Sequence, residues 1–180
     1  MNYLAIIDRY YPEKENSELQ SSELRQLLLK HSRQVAQRAL QIADRHPEWH
    51  MDREFLEAAA MLHDIGICRC DAPSIYCHGT EPYIRHGVIG GEMIRSYKGT
   101  EDIDSVRERL ARVAERHTGT GLPGYEPETL EEQVICYADK FYSKSSPDHE
   151  KTVEEACRSL RKFGEEGVVK FMEWHRMFEV

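Results

Sequence analysis

The decisive stretch of this sequence is Met61-Leu62-His63-Asp64-Ile65-Gly66, which closes a segment with the period of a helix. Asp52 is a suitable N-cap for that helix, and Gly66 is a suitable C-terminal stop. His63 falls on the apolar face, where an imidazole is costly to bury unless it is hydrogen-bonded or bound to a metal. The stretch therefore predicts a helix that ends by turning a histidine toward the core, with a carboxylate beside it.

The sequence on both sides of this stretch has the same helical period of apolar residues. Further helices are expected at about 24–43, 83–97, 103–117, 127–142 and, as one or two helices, 149–178. The apolar stripe of one helix begins at Ile103, and Thr129 with Glu132 forms a capping-box pattern before another. Residues 67–82 have no period and predict a long surface loop. Because no stretch alternates as a strand does, the expected fold is an all-α, single-domain helical bundle.

Five polar side chains lie on or at the end of the apolar stripes of five different expected helices: His31, His63, His86, His117 and Asp139. A single buried histidine is most often a core residue with a satisfied hydrogen bond. Ligands that converge from several facing helices are instead how helical bundles build metal sites in their cores. Nitrogen and carboxylate ligands suit Fe, Mn, Zn or Co better than a metal that prefers thiolates. The pattern therefore predicts a metal site.

Asp64 has three possible roles that the residues alone leave open. Neighbouring residues on a helix point in different directions, so Asp64 and His63 can share one metal only near a helix end or against a bulky ion. Asp64 can also bridge to a second metal, in an arrangement that activates water and stabilises a leaving phosphoryl oxygen. The third role is a hydrogen bond to nearby backbone in the last helical turn.

The order of these polar residues resembles the H…HD…D pattern of the HD superfamily of metal-dependent phosphohydrolases. The matching elements are His31, the pair His63-Asp64, and Asp139 within 137–140, and the resemblance covers residues 24–144. It implies the HD-domain type of helical bundle. It also implies a first metal held by these four residues.

His86 and His117 stand where binuclear members of the superfamily place ligands for a second metal. The sequences around them, 85–92 and 115–121, are similar to stand-alone HDIG-motif proteins of bacteria and archaea. The turn after His117 is also similar to that of HD-type dinucleoside tetraphosphate hydrolases. HD-GYP cyclic-di-GMP phosphodiesterases are a poorer match, because Leu122 replaces the tyrosine of their Gly-Tyr-Pro motif.

The implied cofactor is one or two divalent transition-metal ions, either Fe, Mn, Zn, Ni or Co, with Mg also compatible. A metal lowers the pKa of bound water, which then attacks phosphorus. Asp64 is the residue expected to orient this water, and Lys140 is expected to assist catalysis and bind phosphate. Lys144, Arg85 and His78 are the other expected substrate contacts, with His78 in the 67–82 loop acting as part of a lid. Each of these cations taken singly is more typical of a solvated surface.

Composition and charge exclude several classes of function. The chain of 180 residues has 24 Lys and Arg against 32 Asp and Glu, a formal charge of −8, which disfavours polymeric nucleic acid and anionic membranes. No apolar run approaches the roughly 20 residues of a membrane span, and no signal peptide is recognised, so a cytoplasmic protein with reduced thiols is expected. Cys68, Cys70 and Cys77 with His78 leave a structural zinc site open, although their spacing departs from usual cysteine pairs.

These features predict an N-terminal extension at 1–23, an HD domain at 24–145, and C-terminal helices at 146–180 packed on the same domain. The expected function is that of a metal-dependent phosphohydrolase, a phosphomonoesterase or phosphodiesterase, working through a metal-activated water. Its substrate is expected to be a nucleotide or a similar small phosphate ester, and the protein to be a monomer or homodimer. The alternative is a non-catalytic HD-fold module that binds a nucleotide or a partner.

Overall fold

The fold is an all-α bundle with one very short hairpin, as predicted for a single-domain helical protein. The computed structural model describes residues 2–12, 22–98 and 104–179, so Ile103 lies outside the described residues. The helices are α1 (Tyr3–Tyr10), α2 (Ser22–Arg45), α3 (Arg53–Leu62), α4 (His86–Ser96), α5 (Asp104–Arg116), α6 (Leu130–Asp139), α7 (Val153–Arg161) and α8 (Glu165–Phe178). The strands are β1 (Asp71–Ala72) and β2 (Cys77–His78).

Side-chain caps fix where several helices begin. The Asp52 carboxylate accepts a hydrogen bond from the Phe55 amide at 3.1 Å, which starts α3 as the sequence predicts. The predicted capping box of α6 is confirmed, with Thr129 and Glu132 each bonding the other's backbone amide. An equivalent box starts α7. These local signals set the helix registers that bring the polar residues inward.

The longest helix, α2, lies at the centre of the bundle and packs against α3 and α6, while α4 packs against α5. Its buried face carries the apolar residues Leu24, Leu28, Val35, Ala39 and Ile42. His31 lies on that same face and is buried. The helical period that predicted this face therefore also places an imidazole inside the protein.

A close backbone approach joins the end of α3 to the start of α4. A Cβ atom added at Gly66 would lie 2.1 Å from the carbonyl oxygen of His86 and 2.5 Å from the amide nitrogen of Gly90. Only glycine fits at such a distance. Gly66 thus holds the turn after His63 and Asp64 directly against the helix that carries His86.

The segment 67–82 differs from the surface loop that its lack of period predicts. A 3-10 turn (Ile65–Arg69) leads into β1 and β2, which pair antiparallel, with Ala72 opposite Cys77. Buried side chains anchor the segment, among them Ile67, Cys68, Cys70, Ile75 and Cys77. The prediction of a surface loop was wrong because an irregular segment can bury apolar side chains without a period. Similarly, 83–85 form a 3-10 turn, so α4 begins at His86 rather than at Tyr83.

The N-terminal helix is joined to the turn that follows Asp64. Ile6 and Ile7 of α1 are in the core. The buried Tyr11 hydroxyl donates to the Ile65 carbonyl at 2.7 Å and accepts from the Cys68 amide at 3.1 Å. The boundaries at 1–23, 24–145 and 146–180 stay a prediction, and residues 13–21 lie outside the described part. Within the described part, no helix is both long and apolar enough to cross a membrane.

Candidate metal centre

Six polar side chains from five parts of the bundle meet in its interior. They come from the middle of α2, the turn after α3, the start of α4, the residue after α5 and the last residue of α6: His31, His63, Asp64, His86, His117 and Asp139. The histidines and Asp64 are all buried, and Asp139 is half-buried. The structure therefore brings together every residue that the sequence proposed as a metal ligand.

Four of these residues form a first cluster whose ligand atoms all lie within 4.8 Å of one another. The Nε2 atom of His31 lies 3.2 Å from Nε2 of His63, 3.0 Å from Oδ2 of Asp64 and 3.0 Å from Oδ1 of Asp139. The Nε2 atom of His63 lies 3.0 Å from Oδ2 of Asp64. One imidazole nitrogen or carboxylate oxygen of each residue thus faces a common point.

A second cluster is built on the other oxygen of Asp64. Its Oδ1 atom lies 3.2 Å from Nε2 of His86 and 3.4 Å from Nε2 of His117. The two imidazole nitrogens are 2.9 Å apart. Asp64 therefore belongs to both clusters, with one carboxylate oxygen in each.

Backbone hydrogen bonds fix the orientation of three of the imidazole rings. The Nδ1 atoms of His63, His86 and His117 lie 2.6, 2.5 and 2.6 Å from the carbonyl oxygens of Ala60, Tyr83 and Ala114. A carbonyl only accepts, so each Nδ1 carries the hydrogen and, in the neutral ring, Nε2 keeps a lone pair. The facing nitrogens of His86 and His117 are then two acceptors in contact. Such a contact is repulsive unless a cation lies between them, and this orientation is typical of metal-binding histidines.

The carboxylate of Asp64 gives a second test of whether a metal fits. Both of its oxygens are buried without a hydrogen bond to a described residue; Lys144 forms an ion pair with Oδ2, but no Lys or Arg side chain pairs with Oδ1 among the described residues. An ionised carboxylate left in this state is costly unless a cation compensates it. Two ligand atoms about 2.1 Å from one ion lie roughly 3.0–3.4 Å apart at octahedral to tetrahedral angles. The distances from the imidazole nitrogens to the ligand atoms that they contact run from 2.9 to 3.5 Å, so the residues fit a divalent metal.

Two of the clustered histidines, His63 and His117, have pKa values that are shifted in opposite directions. Burial disfavours the charged ring of His63, but the carboxylates of Asp64 and Asp139 outweigh it and raise its pKa to about 9. Burial lowers the pKa of His117 to about 3, although the hydrogen bond with Asp64 acts to raise it. Burial also opposes ionisation of both carboxyl groups. Even so, His63 and Lys144 keep the pKa of Asp64 well below its usual range, and Lys140 does the same for Asp139.

Two lysines predicted to bind substrate lie beside the clusters. The Lys140 ammonium donates to the His117 carbonyl at 2.9 Å and pairs with Oδ2 of Asp139 at 3.0 Å. Lys144 forms an ion pair with Oδ2 of Asp64. Both lysines are thus held by the carboxylates of the metal centre.

The other two predicted substrate contacts lie elsewhere. His78 is exposed in β2 and Arg85 is exposed and paired with Glu81 at 3.2 Å. Neither belongs to the lining of the two cavities that reach Asp139 and Lys144. Arg85 was selected because it precedes His86, and His78 because it belongs to the 67–82 loop, and neither criterion predicted the position of the side chain in the fold.

A cavity of about 550 Å³ opens beside the second cluster. His86, His117, Asp139, Lys140 and Lys144 line one side of it. The lining also includes three residues that the sequence analysis did not select as substrate contacts: Tyr83, Lys151 and Phe163. The Tyr83 ring stacks on His86 with centroids 4.6 Å apart. Helical period carries no signal for such residues, because they lie at helix ends and in turns.

The cysteines that left a zinc site open do not form one in the described chain. Cys68, Cys70 and Cys77 are buried free thiols, and the candidate metal-binding groups contain only histidine and aspartate. Burial raises the pKa of Cys70 to about 11 and that of Cys77 to about 12. A high thiol pKa disfavours the thiolate that zinc requires.

Comparison with known proteins agrees with this centre. A family model described as HD domain matches residues 28–143, which include all six clustered residues. No solved structure matches the chain.

Three curated relatives match this chain over part of their length. A protein of Picrophilus torridus named tRNA (cytidine(56)-2'-O)-methyltransferase is 29% identical over 157 residues, covering 79% of this chain and 40% of the relative. An uncharacterized protein of Methanocaldococcus jannaschii is 32% identical over 114 residues, which cover 57% of each chain. A Thermoplasma volcanium protein with the same methyltransferase name is 27% identical, over 64% of this chain and 32% of the relative. The match thus spans only part of each relative.

Proposed function

The chain belongs to the HD domain family, and on that premise we propose that it is a metal-dependent phosphohydrolase acting on a nucleotide or a similar small phosphate ester. The observation that carries this proposal is the pair of clusters that share Asp64, one oxygen in each. Paired sites of this kind suit phosphate-ester hydrolysis. The acidic net charge of −8 disfavours a polymeric nucleic acid as the substrate.

The first cluster would hold one divalent ion through His31, His63, Asp64 and Asp139, and the second would hold another through Asp64, His86 and His117. When bound, such ions lower the pKa of water and neutralise charge on phosphoryl oxygens. The orientation of the imidazoles supports this assignment, because their backbone partners keep the Nε2 lone pairs directed inward.

The chain's own residues supply orientation and charge around the ester. The pKa of Asp64 is well below its usual range, so its carboxylate is ionised at neutral pH and would accept a hydrogen bond from the attacking water. Lys140 uses two of its three hydrogens on Asp139 and the His117 carbonyl, so one remains for a phosphoryl oxygen. Lys144, on the same cavity wall, adds a second cation. These groups stabilise the negative charge of the transition state.

The test is metal analysis of anaerobically purified protein, followed by hydrolysis assays on the same sample. Mono- and bis-(p-nitrophenyl) phosphate with added Mn²⁺ separate monoesterase from diesterase activity. Nucleoside monophosphates, cyclic nucleotides and dinucleoside polyphosphates then narrow the substrate. One or two metal equivalents are expected, and His63→Ala should lose both metal and activity while His78→Ala keeps both. Full activity in metal-stripped protein would contradict the proposal.

A non-catalytic nucleotide-binding module is the second candidate function. It is favoured by the relatives, because the matched region covers less than half of the two proteins named as tRNA methyltransferases. A binding module attached to a larger enzyme would fit that arrangement. This reading predicts metal and nucleotide binding without hydrolysis of any ester in the panel.

A further inference from the structure

The cavity beside the metal centre extends past the part of the chain that matches the family. The family model ends at residue 143, yet beyond the adjacent Lys144 five more residues line the cavity: Lys151, Ala156, Ser159, Leu160 and Phe163. These belong to α7 and its two flanks. One wall of the cavity is therefore built by residues that lie beyond the family match, on the side away from the family's shared ligand residues.

Lys151 differs from the other two lysines of the cavity. Lys140 and Lys144 are each paired with a carboxylate of the metal centre. Lys151 forms no ion pair with a described carboxylate, and its ammonium contacts only the Lys140 carbonyl, at 3.4 Å. Partial burial lowers its pKa. A half-buried, uncompensated ammonium in a cavity is a ready partner for an anionic group of a ligand.

The face of α7 that follows Lys151 is apolar. Ala156, Leu160 and Phe163 recur at helical spacing and line the same cavity. Phe163 is 78% exposed, and Ile84, on the same cavity, is 42% exposed. Large apolar side chains exposed at a cavity are typical of a surface that receives the flat or apolar part of a ligand.

The dimensions fit a ligand of nucleotide size. The nine residues of α7 extend over about 14 Å at roughly 1.5 Å per residue. Lys151 lies just before this helix and Phe163 just after it, so an anion-binding ammonium and an aromatic ring stand at opposite ends of one wall. The volume of about 550 Å³ lies within the usual range for small-molecule sites.

We propose that Lys151 and Phe163 form a second subsite that selects nucleotides carrying another phosphate beside the one that reacts. Lys151 binds the additional phosphate and Phe163 stacks on the base. This inference rests on the proposed function for the position of the reacting phosphate. It adds a substrate class, nucleoside diphosphates or bisphosphates, and two residues that determine specificity.

Equilibrium binding on the metal-loaded, full-length protein tests the subsite. The probes are AMP and the non-hydrolysable adenosine 5'-(α,β-methylene)diphosphate, repeated with the corresponding cytidine compounds. Lys151→Met removes the charge and keeps most of the side-chain stem. Lys162→Met is the matched control, because Lys162 is exposed, lies in the same segment and does not line the cavity.

Lys151→Met is expected to weaken binding of the diphosphate analogue by about tenfold or more, as for loss of a charge-assisted hydrogen bond, and to change AMP binding far less. Phe163→Ala is expected to weaken both probes. Lys162→Met should change neither. Equal effects of Lys151→Met on the two probes, or no binding of either series to the unmodified protein, would overturn the subsite.

The outcomes separate this inference from the proposed function. Selective loss of diphosphate binding in a protein that hydrolyses no ester would retain the subsite and reject the hydrolase. Metal-dependent hydrolysis with a diphosphate preference that Lys151→Met leaves unchanged would retain the hydrolase and reject the subsite.

Discussion

His86 and His117 face each other through their Nε2 atoms at 2.9 Å, while each ring donates its Nδ1 hydrogen to a backbone carbonyl three residues earlier. Two lone pairs at this distance repel each other, so the pair is arranged for a cation and not for a mutual hydrogen bond. Because Asp64 contributes its Oδ1 atom here and its Oδ2 atom to the first cluster, the two sites should respond differently to different substitutions.

His117→Ala should remove the second metal and keep the first. His117 lies on the Oδ1 side of Asp64 and is not one of the four residues of the first cluster, which are all retained. Elemental analysis should show about one metal equivalent fewer than in the unmodified protein. His78→Ala is the matched control, because His78 is an exposed histidine, and this variant should keep the full metal content. An unchanged metal content in His117→Ala would show that this residue is not a ligand.

Asp64→Asn should impair both sites, whereas Asp139→Asn should impair only the first. Loss of an outer partner of a metal ligand already costs about 10–100-fold in affinity or activity, so loss of the shared carboxylate should exceed about 100-fold. Metal titrations of the two variants, followed by the number of equivalents bound, check the difference. Equal stoichiometry in the two variants would contradict the sharing of Asp64.

The metal-free protein should be most stable near pH 6.5. The pKa of His63 is raised from 6.5 to about 9, so its contribution is complete below 6.5 and is lost as the pH rises toward 9. The pKa of His117 is lowered to about 3, so its contribution is lost as the pH falls below 6.5. The raised pKa of His63 corresponds to a contribution of at most about 3 kcal/mol to the free energy of unfolding.

Urea unfolding at pH 5.5, 6.5 and 8 checks this maximum, with a chelator and then with Mn²⁺. Metal binding requires neutral imidazoles, so the loss of stability between pH 6.5 and 8 should disappear in the metal-loaded protein. A metal-free protein whose stability rises from pH 6.5 to 8 would disagree with the charge assigned to His63.

Tyr11→Phe should destabilise the turn that carries Asp64. The substitution removes the Tyr11 hydroxyl from the Cys68 amide and from the buried Ile65 carbonyl, which keeps the weaker bond from the Cys68 thiol at 3.7 Å. An unsatisfied buried group costs about 1–3 kcal/mol, and the loss appears as a lower midpoint of urea unfolding. Tyr3→Phe is the control, since its hydroxyl makes an exposed bond to Glu57. Equal midpoints for the two variants would mean that Tyr11 does not support the turn.

The sequence predicted the fold and the clustered residues well because both follow helical period. His31 and His63 lie on apolar stripes, and the same period that buries the stripes turns these rings inward. The positions of Lys151 and Phe163 were not predicted, since they depend on how α7 packs beside the metal centre. His78 was selected as part of a lid in the 67–82 loop, but it lies exposed in the short hairpin.

The ion pair between Lys144 and Asp64 bears on whether this protein folds before or after it binds its metals. A buried carboxylate that had to wait for a metal would oppose folding, as in small zinc domains that are unfolded without their ion. Here an ammonium from the same chain supplies the counter-charge from the outset. The polypeptide can therefore reach its native form first and acquire its metals afterwards, so a cell could hold a pool of finished protein and set the active fraction through metal supply.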